Sequence, residues 1–118
     1  MHRLRPTLLV AAAWAWLAAR GVRRLLLDGV PAPGSVRRPP PLPAGGRRAV
    51  VAVLRRRGAT CLVEALVLQA WDAAHGHRRD VVIGVTGAAD FQAHAWLDGD
   101  ASSSGEGFAE LVRVPAPG

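Results

Sequence analysis

Residues 31–46 read PAPGSVRRPPPLPAGG, with six Pro and three Gly in sixteen positions. No other feature limits the fold of this chain as much. Proline fixes φ, lacks the N–H that helices and sheet ladders use, and turns the preceding residue away from helix. The stretch therefore cannot be regular structure. It reads as a stiff connector, with a proline-rich ligand as the rarer alternative. Upstream lies one helix-like stretch at residues 6–28, and downstream, residues 47–118 hold a denser mixture of helix and strand signals. There is no internal repeat.

A chain of 118 residues has room for one modest core, because chains this short bury only about two-thirds of their unfolded surface. We expect a single compact domain, with residues 1–46 as N-terminal helix and connector and 47–118 as the working core. Half of the residues are hydrophobic, which excludes a mostly disordered chain. Cys61 is the sole cysteine, so no internal disulfide can form. A lone thiol fits a reducing compartment, and the expected location is cytoplasmic.

The net charge of +6 hides an asymmetry. Residues 1–60 carry 12 Arg against Asp28 alone, a net +11, whereas residues 61–118 carry three Arg against eight acids, a net −5. Nucleic-acid binding would require base-reading or stacking modules besides charge, and none is apparent. The basic half is better matched to an acidic protein or peptide surface.

His2, Arg3 and Arg5 precede an apolar run from Thr7 to Ala19, the outline of a signal peptide. The run is shorter than the roughly 20 residues that span a bilayer. No clear small-x-small cleavage site precedes the polar resumption at Arg20, and helical patterning continues through Val22 and Leu25–Leu27. A helix retained in the protein is the expectation. Trp14 and Trp16 beside Arg20, Arg23 and Arg24 make it a candidate for a partner-docking face or a membrane surface. Equally, both Trp could cap the core.

Downstream of the connector, residues 48–57 predict a short helix ended by Gly58. Thr60 is an N-cap for the next helix, Cys61 to His75, closed by Gly76. That helix is apolar on most sides and should be buried. Val81–Val85 reads as a strand, residues 91–97 as a second, and residues 108–114 as a last one, with a turn at Gly99. Alternation places Phe91, Ala93, Ala95 and Leu97 on one face and Gln92, His94, Trp96 and Asp98 on the other. Helices first and antiparallel strands after make an α+β chain.

Two residues stand out chemically. Cys61 opens a helix, where free backbone N–H groups and the positive helix end favour a thiolate and can hold an oxyanion. Alone, it would read as a small buried hydrophobe. His94 sits mid-strand between two alanines that allow close approach, as a thiolate–imidazolium pair requires. Alone, a strand histidine is usually structural. A metal site is not expected. Cys61 and His75 lie fourteen residues apart on one helix, about 21 Å at 1.5 Å per residue. No four-ligand spacing exists either. His75 and His77 are expected to flank the helix C-terminus.

Together, RRRGATCLVEALVLQAW and GHRRDVVIGVTGAADFQAHAWLDGD resemble the leader peptidases of lasso-peptide biosynthesis, the B2 proteins. The resemblance rests on Cys61-Leu62, Ile83-Gly84-Val85 and Ala93-His94-Ala95-Trp96, and covers residues 47–114. It implies a transglutaminase-like, papain-like cysteine peptidase core that needs no cofactor. In that family Cys is the nucleophile and His the base, roles that carry over to Cys61 and His94. An acid on the following strand orients the His. Glu106 is the choice here, twelve residues after His94, with Asp98 and Asp100 left open. The resemblance also implies a ribosomal precursor peptide as substrate, cut at the leader–core junction. A separate leader-binding protein and a downstream lasso cyclase are the implied partners. The rivals are an amide- or acyltransferase using the same pair, and a non-catalytic adaptor that binds the precursor.

Overall fold

A computed structural model describes residues 6–32, 34–86, 92–100 and 105–117. Three helices come first: α1 (Pro6–Leu26), α2 (Arg47–Arg56) and α3 (Cys61–Ala74). Strands β1 (Val81–Val85), β2 (Ala93–Leu97) and β3 (Ala109–Val114) follow as one antiparallel sheet in the order β2-β1-β3. The α+β architecture is as the sequence pattern predicts. The second strand, expected from Phe91, begins at Ala93; Gln92 lies before it, and Phe91 lies outside the described residues.

Helix α1 begins at Pro6, where a missing N–H costs nothing. It ends two residues before the expected boundary, in turns closed by Asp28 N–H to Leu25 O and Gly29 N–H to Leu26 O. Its buried stripe is Ala11, Trp14, Ala15, Ala18, Ala19 and Val22. The alanines let α2 and α3 approach closely, and Trp14 fills the space beside Trp71 of α3 at 5.7 Å between ring centroids. Trp14 is thus a core residue, 5% exposed, and not part of a docking face.

The connector is pinned to this core at two points. Trp14 Nε1–H donates to Arg37 O at 3.1 Å, and His75 Nε2 lies 2.8 Å from Leu42 O. Contrary to expectation, its last three residues, Ala44–Gly46, are regular, forming a short 3-10 turn that leads into α2. The preceding prolines lack N–H donors, but Gly46 has one and gives it to Pro43 O at 3.0 Å. A Cβ at Gly46 would lie 2.9 Å from the Trp71 ring, so only glycine lets α2 start this close to α3.

Helix α3 is the central element. Thr60 Oγ1 accepts from Val63 N–H at 3.3 Å, as an N-cap does. At the other end Gly76 has φ +82°. His77 N–H reaches Asp72 O and Gly76 N–H reaches Ala73 O, a Schellman closure. Against α3 lie Ala95 and Leu97 of β2, Val81 of β1 and Val114 of β3, all buried. Two polar side chains on the buried face of α3 have full partners. Gln69 donates to Arg79 O and Val114 O, tying the helix to the sheet edge. Asp72 receives Arg47 in a two-pronged pair and Arg79 at 2.9 Å.

Candidate active site

Cys61 is the first residue of α3 and its thiol is free and exposed. The Thr60 cap occupies Val63 N–H, and Thr60 O receives Glu64 N–H at 2.9 Å. The N–H groups of Cys61 and Leu62 are left without a helical acceptor. They are donors beside the thiol, where an oxyanion formed by attack on a carbonyl would develop.

His94 comes from β2, opposite Gly84 of β1 in the register. The expected alternation holds over the strand, with Ala95 and Leu97 in the core while the His94 ring keeps company with Trp96 and Phe108. The imidazole lies 5.8 Å from Trp96 in a stacked arrangement and 5.1 Å from Phe108. Glycine makes room for this cluster. A Cβ on Gly84 would come within 2.8 Å of the Trp96 indole, and one on Gly105 would collide with the same ring.

Cys61 and His94 line one cavity of about 570 Å³. Leu68, Ala95 and Leu97 supply its apolar surface, α2 forms a wall carrying Arg47, Arg48 and Arg55, and Glu64 and Asp100 also line it. Cys61 and His94, 33 residues apart in sequence, thus both border one solvent-reachable space, with the imidazole on the Trp96–Phe108 side of β2 and Ala95 and Leu97 on the side toward α3.

The three candidate acids have different surroundings. Asp98 is exposed and bound to Arg113 at 2.8 Å. The Arg113 guanidinium is pushed above its usual range by its hydrogen bonds to Glu110, Asp98 and Asp80. Asp100 faces the cavity and accepts from Arg47 at 2.9 Å. Glu106 is exposed in the turn that leads to Phe108, whose ring touches His94.

One network escapes sequence reasoning. Arg47 joins the start of α2 to Asp72 near the end of α3 and to Asp100 after β2. The Asp72 hydrogen bond is the main cause that raises the Arg47 guanidinium above its ordinary value, and Asp100 adds to it. Asp72 was the available signal, a carboxylate on the inner face of an apolar helix, which must have a cationic partner. His75 stands apart from the cavity, at the far end of α3. It stacks on Trp71 at 4.4 Å, and its ring nitrogens lie 2.8 Å from Trp71 O and Leu42 O. Among the described residues no group of three His, Cys, Asp or Glu is placed to hold a metal ion, and no helix is long and apolar enough to cross a membrane.

The family model of the transglutaminase-like superfamily matches residues 8–113, nearly the whole chain. No curated protein and no solved structure matches.

Proposed function

Because the chain belongs to the transglutaminase-like superfamily, we propose that it is a cysteine peptidase that removes the leader from a lasso-type ribosomal precursor peptide. The observation that carries this is the shared cavity, with Cys61 at a helix N-terminus and His94 on the facing strand. The Ala-His-Ala-Trp and Cys-Leu motifs, similar to those of the lasso leader peptidases, supply the choice of substrate.

In this mechanism the Cys61 sulfur attacks the carbonyl of the last leader residue, its proton passing to His94. The oxyanion is held by the N–H groups of Cys61 and Leu62. His94 returns the proton to the departing amine, so the core peptide leaves with a free N-terminus and the leader stays on Cys61 as a thioester. Water, deprotonated by His94, then releases the leader as a carboxylic acid. Glu106 is the proposed acid that orients His94, since Phe108 two residues on already packs on the imidazole. Asp100 is the second candidate because its carboxylate faces the same cavity.

An iodoacetamide label at neutral pH, run beside a cleavage assay, tests the reading. Rapid labelling of Cys61 together with leader release from a lasso-type precursor supports it. An unreactive thiol points to the adaptor alternative. Transfer of the leader to an added amine, in preference to water, points to the transferase.

A further inference from the structure

The wall that α2 contributes to the Cys61 cavity combines cations with apolar surface. Arg47, Val51 and Arg55 recur every four residues along one helix face, with Arg48 and Ala52 beside them. The three cations are not equivalent. Arg47 is taken up by Asp72 and Asp100. Arg55 meets Glu64 at 3.5 Å, with its side chain 68% exposed, and so open a pair gives way readily to a competing carboxylate. Arg48 is exposed and has no hydrogen bond or ion pair among the described residues.

Distance along the helix turns this charge into a position. Helices α2 and α3 run antiparallel, since Arg47 meets Asp72 at one end and Arg55 meets Glu64 at the other. Glu64 is one turn from Cys61, so Arg55 marks the Cys61 end of the cavity. Arg48 stands seven residues back along α2, about 10 Å at 1.5 Å per residue. An extended peptide at about 3.3 Å per residue covers that length in roughly three residues. A planar guanidinium suits carboxylate recognition, and the three arginines of the cavity outnumber its two acids, Glu64 and Asp100, a positive excess that concentrates anionic ligands.

Resting on the peptidase reading, we infer that the cavity binds an extended peptide segment carrying an Asp or Glu side chain about three residues from the attacked carbonyl, held by Arg48. The substrate class is therefore an acidic peptide, and α2 sets the register in which it lies over Cys61.

The test uses the full chain as Cys61→Ala and fluorescein-labelled decapeptides with blocked termini. In these a single Asp is walked through a neutral Ser/Gly/Leu sequence, each peptide with an Asn control. Fluorescence anisotropy should show one register binding about tenfold more tightly than its Asn control, with the advantage shrinking as salt rises. Adding Arg48→Gln should erase the advantage, and Arg48→Glu should transfer it to a Lys peptide. Arg48 is exposed, so circular dichroism should be unchanged in both. Equal binding of Asp and Asn peptides at every register, no binding by any peptide, or a preference that survives Arg48→Gln overturns the inference. Binding is read without the nucleophile, so the two readings fail separately. Acid-selective binding with no cleavage by the unmodified protein sinks only the peptidase reading, and cleavage without acid preference sinks only this one.

Discussion

At the scale of single residues, His94 carries two burdens, a base in the proposed reaction and a ring packed between Trp96 and Phe108. His94→Ala should slow precursor cleavage by about 10²–10⁴, and His94→Gln should do no better, because an amide neither accepts nor returns the proton. Single-turnover kinetics check both; rates within threefold of the unmodified protein would make His94 structural. For the orienting acid, Glu106→Ala should reduce turnover more than Asp100→Ala, and Asp98→Ala least, since Asp98 already serves Arg113 at the surface. Parallel kinetics of the three variants decide the order, and an Asp98→Ala variant slower than the others contradicts it. That Cys61 and His94 would border one cavity was legible because each stands in a motif of contrasting neighbours. The Arg47–Asp72–Asp100 network was not, because its members are distant in sequence and no spacing rule links them.

Among the elements, helix ends followed from the sequence where one residue type settles the local geometry. Thr60 caps α3, and Gly58 and Gly76, both at positive φ, follow α2 and α3. The short turn at Ala44–Gly46 went unread because the prolines before it argue against structure while Gly46 still has an N–H to give. Sheet order was equally hidden, since three strands of similar length pair in several ways and nothing local in the sequence makes β1 the centre. That order matters for function, because it places Gly84 across from His94. Gly84→Ala should therefore act at a distance. Its methyl would meet the Trp96 indole at 2.8 Å and Ala109 O at 2.9 Å, displacing the ring that stacks on His94. We expect kcat to fall at least tenfold, with KM little changed and the far-UV spectrum preserved. Unchanged kcat in a folded Gly84→Ala protein would show that the aromatic cluster does not position His94.

For the whole molecule, α1 and the connector are built into the same core as α3, through Trp14, Trp71 and His75. The sequence left both tryptophans of α1 ambiguous because its apolar residues cover more than one face. Trp14 points inward, whereas Trp16 is 37% exposed, with the guanidinium groups of Arg20 and Arg57 over its ring at 4.8 and 5.8 Å. Leu9, Val10 and Leu17 are exposed on the same helix, which keeps it as the proposed docking face for a separate leader-binding protein. A partner of that kind raises the local concentration of the cleavage site without changing the chemistry. Trp16→Ala should abolish the partner's acceleration at low precursor concentration while sparing labelling of Cys61; acceleration that persists places docking elsewhere. Trp14 is unsuited to this test, since removing a buried Trp costs about 3–5 kcal/mol. In the proposed mechanism Cys61 carries the leader during turnover. Acid-quenched mixtures of protein and precursor, weighed intact by mass spectrometry, test it most directly. The protein mass should be raised by the leader acyl group at early times, an increase absent in Cys61→Ala, which should release no core peptide. Release of core peptide by Cys61→Ala at the unmodified rate, with no adduct on either protein, would contradict it.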